Sequence, residues 1–123
     1  MLDKTSLEAS FARFDDLWRP KVVADLNGQE IKLVKAKGEF PWHVHDDVDE
    51  MFLVWKGRFC VEFRDKVVEL GPGEFCIAPM GVEHRTTAKD IAEVIIFEPK
   101  NVLNTGNVQD DVYTAPKGAR LDL

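Results

Sequence analysis

The sequence predicts an all-β protein, an antiparallel sandwich or barrel preceded by one short N-terminal helix. Three observations carry that prediction. Short segments rich in Val, Ile, Phe and Thr recur along the chain: KVVADL, QEIKLVKA, EMFLVW, RFCVEF, KVVEL, EFCIAP, HRTTA and IAEVIIFEP. Turn-forming residues punctuate them at Asn27-Gly28, Lys56-Gly57, Arg64-Asp65, Gly71-Pro72-Gly73, Met80-Gly81 and Lys89-Asp90. Almost no helical periodicity is interleaved, and many short strands without helices between them pack as sandwiches or barrels.

From the N-terminus, Thr5 and Glu8 have the spacing of a capping box. Leu7, Phe11, Phe14 and Trp18 then fall at helical spacing until Pro20 ends the pattern. Residues 1–20 therefore read as an amphipathic helix whose apolar stripe packs on the domain or on a partner subunit. Asn27-Gly28 tolerates the positive φ values of a primed turn, so the segments on either side read as a hairpin. Residues 21–98 make up the β-structure. Residues 99–123, beginning PKNVLNTGN, lose periodicity and read as an extended tail along the surface. A chain of 123 residues suits a single domain.

Composition narrows the function classes. Hydrophobic residues at 45% and charged residues at 31% match a soluble globular protein. A net charge of -6 opposes attraction to nucleic acid or to an anionic membrane surface. The first residues lack the apolar run of a signal peptide and nothing later is long enough to span a bilayer, so the cytoplasm is the expected compartment. Cys60 and Cys76 lie in alternating apolar segments without CxxC spacing, which predicts buried free thiols rather than a disulfide or a zinc knuckle.

The chemistry concentrates in WHVHDDVDE, residues 42–50, which holds two of the three histidines in the chain. On a strand, residues i and i+2 point to one side, so His43 and His45 project together while Trp42 and Val44 face away. Glu50 has the opposite parity. The polar DDVD stretch must therefore turn or bulge before Glu50 opens the next strand, where it shares a face with Phe52 and Val54. The third histidine, His84, emerges from GPGEFCIAPMGVEHRT as a strand begins, and reaches the pair if two sheets face each other. Three neutral imidazoles and one carboxylate would complete a shell for one divalent transition metal ion, be it iron, manganese, nickel, copper or zinc. Against this stands the plainer alternative that the histidines are satisfied core residues and that Asp46, Asp47 and Asp49 form a solvated turn.

Taken together, these spacings resemble the two motifs of the cupin superfamily. Gly38, His43, His45, Glu50 and Gly57 match the first motif, with four residues instead of five between Gly38 and His43. Gly73, Pro79, Gly81 and His84 match the second, with Ala88 where the motif has asparagine. Helix, hairpin and tail also look like those of small single-domain cupins often labelled mannose-6-phosphate isomerase-like. The resemblance implies an antiparallel jelly-roll β-barrel binding a metal through His43, His45, Glu50 and His84. It also implies a homodimer, which the apolar row Met51, Leu53 and Trp55 fits independently.

Four protein ligands leave two positions open on an octahedral metal, where a carbonyl can be polarised, a water acidified, or a chelating substrate held beside dioxygen. No second catalytic group is evident. Asp49, Glu83 and Arg85 adjoin the motifs but fit solvated turns; Glu62 and Arg64 share parity with Cys60 rather than with Phe59, Val61 and Phe63; Tyr113 belongs to the tail. No Arg or Lys cluster adjoins either motif, which speaks against a phosphosugar. Two function classes remain. One is a metal-dependent enzyme of dioxygenase or isomerase type acting on a small oxygen-rich metabolite; the other is a non-catalytic cupin that binds a small molecule or metal as sensor or store. The lack of a basic patch or a DNA-binding segment leans toward the first.

Overall fold

A computed structural model describes residues 3–121. Helix α1 (Leu7–Phe11) precedes seven strands: β1 (Lys21–Leu26), β2 (Gln29–Glu39), β3 (Glu50–Lys56), β4 (Phe59–Phe63), β5 (Lys66–Leu70), β6 (Phe75–Ala78) and β7 (His84–Pro99). All pairings between strands are antiparallel, and the sheet curls into a jelly-roll barrel. Among the described residues no helix is long and apolar enough to cross a membrane.

The helix is shorter than its apolar stripe implies. Ser6 rather than Thr5 caps it, accepting a hydrogen bond from the Ala9 amide, and only five residues are helical. So short a helix is marginal by itself and is held by docking. Phe11 and Phe14 pack with Leu33 and Ile95 on the outside of the sheet. Trp18 is no longer on that stripe: at φ 62 the chain has turned, and the indole joins the barrel core and stacks at a tilt on Phe40. The hairpin forms as expected, with Asn27 at φ 51 and Gly28 at φ 78, the two positive values a type I′ turn requires.

β7 joins the parts. One edge pairs with β2; the other pairs first with β4, from His84 to Thr87, and then with β3, from Glu93 to Phe97. Lys89-Asp90 is thus not a turn, and the two segments expected on either side are one strand. Both residues are exposed at the corner where β7 leaves β4 for β3, so their polarity marks a bend in the barrel wall rather than an end of the strand. A register shift on β2 between Ala36 and Gly38 accommodates the same corner.

Strand alternation separates two apolar faces. Val34, Phe52, Val54, Phe59, Val61, Val94 and Ile96 fill the barrel. On the outer face, register places Leu33, Ile95, Leu53 and Phe75 in one cross-strand row and Ile31, Phe97, Met51 and Ile77 in the next. The N-terminal segment covers the first part of these rows. Phe75 and Ile77, on the edge strand β6, remain 59% and 50% exposed.

Beyond β7 the chain makes turns rather than an extended tail. Thr105 and Ala115 are buried, and the Tyr113 ring packs edge-on against Phe40 at 5.5 Å. The Asn104 carboxamide donates to the Tyr113 carbonyl at 2.8 Å and accepts from the Ala115 amide at 2.9 Å. This segment therefore folds back onto the barrel. Cys60 and Cys76 are free, as their spacing predicts, though half-buried.

Candidate metal centre

Residues 40–45 run antiparallel to residues 81–86 without forming a regular strand. The Phe40 amide donates to Thr86 O, His43 and His84 exchange amide and carbonyl at 2.9 Å in both directions, and the Gly81 amide donates to His45 O at 2.8 Å. One backbone bridge thus sets His43 against His84. Asp46 and Asp47 form an exposed bend, after which Glu50 opens β3 with its side chain inward beside Phe52 and Val54. His43, His45, Glu50 and His84 are all buried, and one ligand atom from each lies within 4.8 Å of all the others.

The hydrogen bonds around the rings select the protonation pattern that a metal needs. His43 Nδ1 lies 2.8 Å from the Pro41 carbonyl, and His84 Nδ1 lies 3.1 Å from the Val82 carbonyl. A carbonyl only accepts, so in each neutral ring Nδ1 carries the proton and Nε2 presents its lone pair to the cluster. His45 Nε2 and His84 Nε2 lie 3.3 and 3.4 Å from Glu50 Oε1, an ion-pair distance for whichever ring is protonated. Their alignment is poor, and all three atoms are buried without a hydrogen-bond partner. Such orphaned atoms carry a desolvation cost that a coordinated cation removes. The donor set and its unmet valences fit a divalent transition metal.

Titration separates the rings. Burial, and then the neighbouring His84, lower His43 to about 4, so this ring is neutral near pH 7. His84 is also opposed by burial, but the Glu50 carboxylate more than compensates and raises it above the ordinary 6.5. For Glu50, contacts with His45 and His84 outweigh burial and hold the carboxyl far below the usual carboxylate range.

The other candidates lie outside the centre. Asp49 accepts from the Met80 amide at 2.8 Å, Glu83 pairs with Arg64 at 2.7 Å, and Arg85 pairs with Glu62 and Glu39. Arg64 and Arg85 both lie over Trp42, whose ring is turned away from the histidines as strand parity predicts. Tyr113 packs against the core through Phe40.

One polar group that the motifs do not mark stands beside the ligands. Glu98 is 2% exposed and lines the same small cavity as Glu50 and His43, among the apolar side chains of Trp18, Phe40 and Phe52. Lys32 Nζ donates to Glu98 Oε1 at 2.9 Å and lies 3.7 Å from Glu30, while Glu98 Oε2 has no partner. Burial, and then the nearby Glu50 carboxylate, push the Glu98 carboxyl well above its ordinary value. A signal was present: Val94, Ile96 and Glu98 share parity, so the alternation that fills the barrel also sends this carboxyl inside.

A barrel with three imidazoles and a carboxylate gathered in its interior defines a class of metal-site β-barrels. The family model described as a cupin domain matches residues 30–99, and the chain belongs to that family. The chain is 41% identical to a cupin-2 domain containing protein from Shewanella frigidimarina NCIMB 400; the match covers 78% of this chain and 94% of that one, with a TM-score of 0.77. Protein NMB1881 from Neisseria meningitidis shares the fold at 24% identity, covering 79% of this chain and 99% of that one with a TM-score of 0.72. Protein YdbB of Bacillus subtilis (strain 168) is 34% identical over 65 residues, which span 52% of this chain and 58% of that relative.

In the metal-free protein the ring protons should titrate apart by NMR, His43 near pH 4 and His84 above 6.5. The raised His84 adds stability that is complete below pH 6.5 and is lost as pH rises through its folded value. The lowered His43 has the opposite sign and destabilises the fold as pH falls from 6.5 towards 4. Coincident titration of both rings near 6.5 would contradict the geometry.

Proposed function

We propose that the protein is a metal-dependent enzyme of dioxygenase or isomerase type acting on a small oxygen-rich molecule, with one divalent transition metal held by His43, His45, Glu50 and His84. The observation that carries this reading is the convergence of buried, unpartnered donor atoms beside a cavity that is also lined by Glu98, Thr86 and Asn104. When bound, the metal supplies Lewis acidity and a place for a chelating oxygen ligand. The chain supplies the rest. Phe40 and Phe52 exclude water, Trp18 closes a wall, and Glu98, steadied by Lys32 through one oxygen, offers the other to a hydroxyl of the bound molecule.

A non-catalytic metal-binding or small-molecule-binding cupin is the second reading, and the size of the cavity favours it. The interior cavity has a volume of about 30 Å³, room for about two waters, so a larger ligand requires the lining side chains to move.

The experiment is metal content per chain for the wild type, His84→Ala, Asp46→Ala and Glu98→Gln, followed by oxygen uptake and isomerisation assays with small hydroxyketones. The enzyme reading expects near-stoichiometric metal in all but His84→Ala, which stays folded, and turnover lost in Glu98→Gln. Metal retained without turnover on any substrate favours the binding reading, and metal lost from Asp46→Ala would move the site to the acidic bend.

We also propose that a second copy of the chain covers the remainder of the outer apolar rows, forming a homodimer through β6 and its neighbours. Phe75→Glu should convert a dimer to a monomer in light scattering without loss of metal. A wild type that is monomeric at high concentration would sink this proposal.

A further inference from the structure

The backbone between the two neighbouring histidines is held from outside the barrel motifs. His43 turns its amide and carbonyl toward His84, so Val44, the next residue, turns its own in the opposite direction. Among the described residues no strand lies there to receive them. One residue of the C-terminal segment does so instead: the Val44 amide donates to Asn107 Oδ1 at 3.0 Å, and the Asn107 amide donates to Val44 O at 3.1 Å.

Gly106 lets that segment come so close. It adopts φ 56, and a Cβ built on it would overlap the Val44 carbonyl oxygen and stand 3.1 Å from His43 Cδ2. The preceding residue anchors the approach. Thr105 is fully buried, with its hydroxyl donating to Val108 O and sharing a hydrogen bond of 2.7 Å with the Thr114 hydroxyl. The segment is thus knit to itself on one side and tied to Val44 on the other.

We propose that Asn107 is a positioning residue for the metal centre, fixing the backbone from which His43 and His45 project, and that Gly106 is required for its approach. The inference rests on the metal reading of the four-residue cluster. Two ligands on a segment without a full ladder could otherwise swing independently, and the reciprocal pair at Val44 replaces the missing neighbour strand. Removing a group that orients ligands costs metal affinity without removing a ligand, by about 10–100-fold where such partners have been replaced.

The test compares wild type, Asn107→Ala and Asn107→Asp by zinc affinity and by hydrogen exchange of the Val44 amide in the metal-free protein. Asp keeps an oxygen acceptor for that amide. The expected result is faster Val44 exchange and at least about tenfold weaker zinc binding in Asn107→Ala, with both restored in Asn107→Asp and the thermal unfolding of all three still cooperative. Should Asn107→Ala fail to fold, Asn107→Gln, which carries the amide one methylene further, takes its place with the same expectation. Unchanged zinc affinity despite faster exchange overturns the proposal, as does unchanged exchange. A wild type that binds no zinc while Val44 protection still depends on Asn107 defeats the metal reading and the positioning role together, the protected amide showing that the tie itself exists.

Discussion

Bringing three imidazoles and a carboxylate out of water, with their ligand atoms within 4.8 Å of one another, is the constraint on which the rest of this structure depends. The Glu50 carboxylate faces two of the rings, 3.3 Å from His45 Nε2 and 3.4 Å from His84 Nε2, and so favours a proton on one of them. His43 and His84 shift in opposite directions because burial dominates at His43, whereas at His84 the Glu50 carboxylate overcomes it. The surrounding framework keeps the rings from relaxing apart. β7 starts at His84, β3 starts at Glu50, and backbone hydrogen bonds bind residues 40–45 to residues 81–86.

Much of this was legible in the sequence because strand parity is a strong rule wherever one face is buried. Parity placed Phe52, Val54, Phe59 and Val61 inside, sent Trp42 away from the histidines, and required a turn between His45 and Glu50. Where the sequence misled, local signals were overruled by tertiary structure. Lys89-Asp90 has the composition of a turn but sits on an exposed bend of a continuous strand, and Phe14 and Trp18 have helical spacing but dock from non-helical backbone. Glu98 was overlooked because a carboxylate near the end of an apolar run is ordinarily the place where the strand meets water.

The C-terminal segment was the least legible part, for a different reason. Its contacts with the barrel include hydrogen bonds of Asn104 to the Trp18 carbonyl and of Asn107 to the Val44 backbone, groups distant in sequence, and such contacts leave no periodicity. The result is a division of labour between two kinds of order. The barrel supplies His84 and Glu50 from regular strands, whereas His43 and His45 come from an irregular stretch that borrows its second hydrogen-bonding edge from the tail. The polar set of Glu30, Lys32 and Glu98 then lies on the inner face of β2 and β7, where a purely structural core would be apolar. Replacing such a buried ionic set with apolar residues is often neutral or stabilising, so its presence beside the histidine cluster is weak evidence of a role in stability.

The most direct measurement is X-ray absorption fine structure of the zinc-loaded protein, because it counts and types the scattering neighbours of the metal itself. The account predicts a first shell of nitrogen and oxygen at about 2.0–2.2 Å, with the outer-shell multiple scattering of three imidazoles. A sulfur neighbour at about 2.3 Å, or fewer than three imidazoles, would contradict it.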